Sequence, residues 1–203
     1  MQRAVCTLLA DGEIDDRGMI LMNDLARLSV AQRQQMIDEF VDEVFAGTDP
    51  DAPGAGIANG MRMLPAELPE DPTTEQVEAW VELAELVGDP TFRARCREMA
   101  VTGASGEPSP PSYDPCSMLD HGEPARAAGV APGSAEAEAV LGRIGLGALG
   151  RDERVRLAET IETFSDRRVE RYWELLGVLN GWPARQTPPT TPAAEWVATA
   201  LRG

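Results

Sequence analysis

Cys116 and His121 stand five positions apart in "CSMLDH", a thiol and an imidazole close enough in sequence to be a nucleophile and its base. Such a pair works only when a third group orients the base, and the sequence identifies no such partner. The pair is also too few for zinc, which takes three or four protein ligands, and His121 is the one histidine of the chain. Cys6, Cys96 and Cys116 are an odd set without CxxC spacing, which reads as reduced thiols. There is no GxSxG, no P-loop and no GxGxxG. The glycine-rich "GRIGLGALG" follows no strand pattern, so it does not cradle phosphate. No catalytic residue, metal or cofactor is expected, and the chain is read as a non-enzyme. The alternative is a motif-less pocket enzyme acting on a natural-product intermediate.

A second kind of chemistry is recognition of flat apolar surface. The stretch "ERYWELLGVLNGWP", residues 170 to 183, carries Tyr172, Trp173 and Trp182 in a chain with only four Trp, two Tyr and four Phe. Buried aromatics anchor cores in any fold, and that is one reading of Tyr172 and Trp173. The other is a pocket lining, because their polar tips suit ligands of mixed polarity. Trp182, in a Gly-Trp-Pro turn, is expected to plug the end of a bundle. Eight methionines, among them Met36, Met61, Met63 and Met118, add soft side chains of the kind used at adaptable binding surfaces. The same residues also serve as plain core filler.

The elements that would hold these residues are helical nearly throughout. Leu25 and Leu28, with Ile20 or Leu21, share a stripe in "DDRGMILMNDLARL". "SVAQ" and "TTEQ" are Ser- and Thr-x-x-Gln capping boxes, opening helices at Ser29 and Thr73. Met36, Ile37, Phe40, Val41, Val44 and Phe45 form a broad inner face on the first, while Asp42 and Glu43 read as solvated. Gly88 reads as the residue closing the second helix, and Asp89-Pro90 as the cap and first position of a third. Cys96 aligns with Phe92 and Met99, as a small hydrophobe. Residues 102 to 115, rich in Gly, Ser and Pro, read as a linker or mobile loop. Pro124 limits any helix around His121. Ser134 caps a further segment, a break is expected near Ser165, and Gly181 ends the long C-terminal pattern. Pro192 begins a short last helix. No alternating β-branched run appears. The expected class is all-α, a compact bundle of about eight or nine helices enclosing a ligand pocket.

Composition limits the partners. The 203 residues carry 34 acidic and 18 basic side chains, net charge −16, with every basic residue an Arg. Phosphate backbones repel such a chain, and the short "RARCR" run is one face of one helix. No nucleic acid is expected to bind this chain alone. No apolar run approaches the length of about 18 residues that a membrane span needs. The N-terminus lacks the long apolar core of a signal peptide, so a cytoplasmic protein away from membranes is expected.

Three blocks, "LARLSVAQRQQMIDEFVDEVFAG", "LPEDPTTEQVEAWVELAELVGDPTFRARCREMA" and "FSDRRVERYWELLGVLNGWP…EWVATAL", resemble the C-terminal effector domain of MerR-family transcriptional regulators. They are similar to the antibiotic-recognition branch represented by thiostrepton-induced proteins. The resemblance covers about residues 8 to 202. It implies an effector-binding domain for a hydrophobic, polycyclic or peptidic small molecule, acting in antibiotic resistance by sequestration or as the sensing part of a regulator of transcription. The family's N-terminal winged helix-turn-helix is lacking here. Residues 1–14 would then be a remnant of the dimerisation helix or an N-terminal helix, and 15–203 the helical ligand-binding domain. A homodimer is compatible with it. Combined with the helical pattern, it draws a pocket from Met36 and Phe40, from Trp80, and from Phe164, Arg168, Tyr172 and Trp173, with His121 as a polar contact at a lid. Arg168 would face a ligand carboxylate, or else pair with an acid such as Glu39 or Glu43.

Overall fold

In the computed structural model, residues 28–49, 51–52, 55–63, 68–69, 71–105, 114–183 and 189–203 are described. They are all-α, as expected: nine helices and no strand among the described residues. We number these α1 (Val30–Val44), α2 (Ala55–Met63), α3 (Thr74–Gly88), α4 (Pro90–Ala104), α5 (Pro115–Ala127), α6 (Ala135–Ile144), α7 (Arg151–Phe164), α8 (Arg167–Leu179) and α9 (Thr191–Arg202). The expected helix before Leu28, the dimerisation remnant and most of the expected linker at 102 to 115 lie outside the described residues.

The chain divides into two compact units. One is Met1–Ser105 with Arg171–Gln186; the other is Gly106–Glu170 with Thr187–Gly203. The boundary falls within α8, whose residues up to Glu170 belong to the second unit.

The helix starts of the first unit follow the sequence. Ser29 Oγ accepts the Gln32 N–H at 3.3 Å, and Gln32 Oε1 accepts the Ser29 N–H at 2.9 Å. Thr73 and Gln76 repeat this reciprocal box at 3.2 and 3.1 Å. Each box satisfies two backbone donors that a helix N-terminus otherwise leaves unpaired. Asp89 accepts the Thr91 N–H at 2.7 Å, with Pro90 in the first turn of α4. Gly88, by contrast, stays within α3, and Asp89 both closes that helix and caps the next. Phe40, Trp80, Leu83, Phe92, Tyr172 and Leu176 are fully enclosed in this unit. Burying an aromatic of this size contributes about 2–3 kcal/mol relative to exposure.

The second unit is built around α9, which packs on α7, α5 and α6. Its "TPAAEWVATALR" buries Ala193, Ala194, Trp196, Val197, Ala198, Ala200 and Leu201. Alanines let neighbouring backbones come close, and Gly122 of α5 uses this. A Cβ at Gly122 would meet Val197 Cγ2 at 3.1 Å. Trp196 Nε1 donates to the Val130 carbonyl at 2.9 Å, so the indole is satisfied although buried. The start of α9 is capped from a distance: Glu170 accepts from the Thr190 N–H at 2.6 Å and the Thr191 N–H at 3.3 Å. Burial pushes the Glu170 carboxyl up, but the hydrogen bonds from Thr190 and Thr191 outweigh it and hold it below the usual carboxylate range.

Two local readings are corrected. Pro124 does not limit α5, which runs through it to Ala127. The proline is exposed, as is Asp120, whose carbonyl loses its usual helical donor. The break near Ser165 is present, and it puts Phe164 on a different helix from Arg168 and Tyr172, which the expected pocket groups together. Helix α7 ends at Phe164, and Asp166 Oδ1 accepts the Arg168 N–H at 2.8 Å to start α8 afresh.

Candidate functional site: a groove between two indoles

Tyr172 and Trp173 are neighbours in sequence and part company in space. Tyr172 is 1% exposed. Its ring lies 5.8 Å from Phe40 and 6.5 Å from Phe92, which stack on one another at 5.6 Å. Trp80 is equally enclosed, with the Arg33 guanidinium 5.8 Å over its ring. Phe40, Trp80 and Tyr172, three of the residues proposed for a pocket, therefore form packed interior. Two polar tips are left over. Tyr172 Oη and Trp80 Nε1 are buried without a hydrogen-bond partner among the described residues. Burial pushes the Tyr172 phenol well above its usual value, and the nearby Cys96 adds to the effect.

Trp173, one step further along α8, turns outward. It meets Tyr172 edge to face, with centroids 5.4 Å apart and planes at 87°, and it is only half-buried. It lines an open groove of about 850 Å³ together with Thr73, Glu75, Gln76, Glu174, Gly177, Val178, Gly181, Trp182 and Pro183. Trp182 is the second indole of this groove, 44% exposed.

The local sequence explains why Trp182 stands there. Helix α8 ends in a Schellman motif, in which a glycine past the end turns left-handed so that two later amides cap the last carbonyls. Gly181 has φ +66°, a conformation costly for other residues. Gly181 N–H donates to Val178 O at 3.2 Å, and Trp182 N–H to Gly177 O at 2.8 Å. That fold-back places Trp182 over Gly177, where an added Cβ would lie 3.4 Å from the indole Cε3. Trp182 thus closes the helix end as a plug would, and it also leaves much of its ring open to solvent. Gln76, besides its capping role, donates to Leu179 O at 3.5 Å.

The charge around the groove is acidic. Glu75 sits in the first turn of α3, and no ion pair involves it among the described residues. Glu174 shares the Arg171 guanidinium, at 3.1 Å, with Glu82, which holds Arg171 through two bonds of 2.6 Å. That hydrogen bonding keeps Glu82 below the usual carboxylate range against the opposing effect of burial.

Met36 is half-buried on α1, in the first unit with Phe40, Trp80, Tyr172 and Trp173. Phe164, Arg168 and His121 belong to the second unit. Phe164 is 47% exposed at the end of α7. Arg168 is held by Asp166, with Nε at 3.1 Å from Oδ1 and Nη2 at 2.8 Å from Oδ2. Pairing with an acid is thus present, with Asp166 in the place of Glu39 or Glu43, the expected examples; Glu43 pairs with Arg93. The helix break explains the difference, because the capping Asp166 lies two residues away. His121 lines a shallower recess of about 420 Å³ with Asp120, Glu136 and Arg143 around an apolar floor of Ala125, Val130 and Val140.

No group of three or more His, Cys, Asp or Glu side chains able to hold a metal occurs among the described residues. None of their helices is long and apolar enough to cross a membrane. No protein family, no curated protein and no solved structure matches this chain.

Proposed function

We propose that this chain binds a flat, largely apolar small molecule in the groove between Trp173 and Trp182, and that it acts by holding or sensing that molecule unchanged. The observation that carries this reading is the pair of part-exposed indoles bordering one open groove. Exposed Trp is uncommon on a surface without a partner, since its large apolar area is left in water. A groove of about 850 Å³ is of the size that takes a drug-like molecule. Apolar walls with a few polar groups, here Thr73, Gln76 and two carboxylates, are the usual composition of such sites.

The resemblance to MerR-type effector domains supports the same reading. It adds the expectation that the ligand is an antibiotic or related natural product, and that its capture either protects the cell or reports to transcription. The test is a tryptophan-fluorescence titration with a panel of neutral and charged polycyclic compounds, followed by mass spectrometry of the bound species. Saturable one-to-one quenching, an unchanged ligand mass, and loss of binding in Trp173→Ala and Trp182→Ala at full helicity are the expected results. Quenching unaffected by both substitutions would remove the groove from the reading. A converted mass would make the chain an enzyme.

A further inference from the structure

We infer that the groove selects a planar aromatic cation, with Glu75 as its counter-charge. This deepens the small-molecule reading above and rests on it. Among the described residues, the two ionisable side chains lining the groove are both acids, Glu75 and Glu174, and no Arg lines it. The chain as a whole has 18 arginines, all other ionised side chains being acidic, so their absence from the described part of this wall is a local arrangement. Arg171 stands on the same helix, but its guanidinium is committed to Glu82 and Glu174. It partly neutralises Glu174. Glu75 has no such partner among the described residues, and its charge is left to face a ligand.

The indoles reinforce the same sign. The face of a Trp ring carries negative potential, and cations rest on it more favourably than on any other aromatic side chain. Trp173 and Trp182 both line the groove, and Gly177 and Gly181 add no side chain to it. Among the described lining residues an anionic ligand would meet two carboxylates and two electron-rich rings, with the partial positive charge of the α3 N-terminus set against them. A neutral planar ligand would gain the stacking alone. At physiological salt, charges further away than about 8 Å are largely screened. The selection therefore belongs to Glu75 and Glu174 and not to the net charge of the molecule.

Three probes of one ring system separate the possibilities at pH 8: N-methylacridinium, neutral acridine and acridine-9-carboxylate. N-methylacridinium is expected to bind about tenfold more tightly than acridine, as a cation–π contact and a carboxylate together supply. The carboxylate probe should bind most weakly. Glu75→Gln should remove most of the preference for the cation while leaving acridine affinity within about twofold. Asp152→Asn, which neutralises an exposed first-turn acid of α7, should change nothing. Equal affinity of cation and neutral probe, or an equal loss from Asp152→Asn, would overturn the inference. If Trp173→Ala still weakens both probes in that case, the groove itself stands as a binding site. Absence of any Trp173-dependent binding would sink both readings together.

Discussion

Two aromatic regions of the first unit use the same residue types to opposite ends. Around Phe40, Phe92, Tyr172 and Trp80 the rings are enclosed, close to one another or to Arg33. Around Trp173 and Trp182 the rings face an open groove. One helix serves both regions through successive residues, since Tyr172 and Trp173 differ by about 100° around the axis. Aromatic identity therefore says little about role. The angular position on α8, and the turn that returns Trp182 over Gly177, decide which ring is interior and which is wall.

The largest expected effects come from breaking the interior region. Trp80→Ala and Phe40→Ala should each lower stability by about 3–5 kcal/mol, because a large side chain leaves a cavity that neighbours cannot refill. Urea unfolding followed by circular dichroism checks this. In the same experiment Trp173→Ala and Trp182→Ala should cost about 1–2 kcal/mol at most, since half-exposed rings bury less area. Their main effect should appear in ligand titration, as an affinity loss of about tenfold or more. If the groove substitutions proved as destabilising as Trp80→Ala, the distinction between wall and interior would fail.

Much of this organisation could be read from the sequence, and the reasons are physical. The capping boxes at Ser29 and Thr73 and the Asp89-Pro90 start are local signals, satisfied within three residues, so they read correctly. The break at Ser165 also read correctly, but its consequence did not. Phe164, Arg168 and Tyr172 fall four residues apart and would share a face of one continuous helix, whereas Asp166 restarts the helix at Arg167. Phe40, Trp80 and Tyr172 each lie on the buried face of their helix, and that face alone suggests a shared pocket. Periodicity shows which face is inward, and it cannot show whether the space inside is empty or filled. Trp182 carried a usable signal in "GVLNGW". Glycine past the helix end, a large apolar residue after it and glycine at the third position from the end describe a ring folded back on a bare helix surface. That signal gives the position of the indole. The rest of the lining, Thr73, Glu75 and Gln76, depends on how α3 lies beside α8, which is a tertiary matter.

A smaller effect sharpens the view of the interior. Tyr172 Oη is buried without a partner, and an unsatisfied buried hydroxyl costs about 1–3 kcal/mol. Tyr172→Phe removes that cost while keeping the ring contacts to Phe40 and Phe92. It should leave stability unchanged or raise it by about 1 kcal/mol at neutral pH. The difference should then widen in alkali. Burial raises the folded-state pKa of this phenol above its unfolded value, so the neutral form is stable in the fold. Below about pH 10 the phenol is neutral in both states and costs nothing further. As the pH rises past that value the unfolded chain releases the proton first, and stability is lost. Unfolding midpoints of the parent and Tyr172→Phe between pH 8 and 11 should diverge, with the parent falling faster. Parallel curves would mean that water reaches the hydroxyl and that this part of the interior is less closed than the ring contacts imply.

The smallest expected change lies at the junction of the two regions, on the bare surface under Trp182. Gly177 is a helical residue with ordinary backbone angles, so alanine can replace it without strain. Glycine inside a helix is roughly 0.5–1 kcal/mol worse than alanine, chiefly through the freedom it has when unfolded. The new methyl would touch Trp182 Cε3 at 3.4 Å, an ordinary contact. Gly177→Ala should therefore raise the melting temperature by about 2 °C. It also places a methyl on the groove lining and narrows the space beside Trp182. A stabilised protein that binds its flat ligand several-fold more weakly would locate the ligand against α8 between the two indoles. A stabilised protein with unaltered affinity would place it nearer Thr73 and Glu75 at the start of α3.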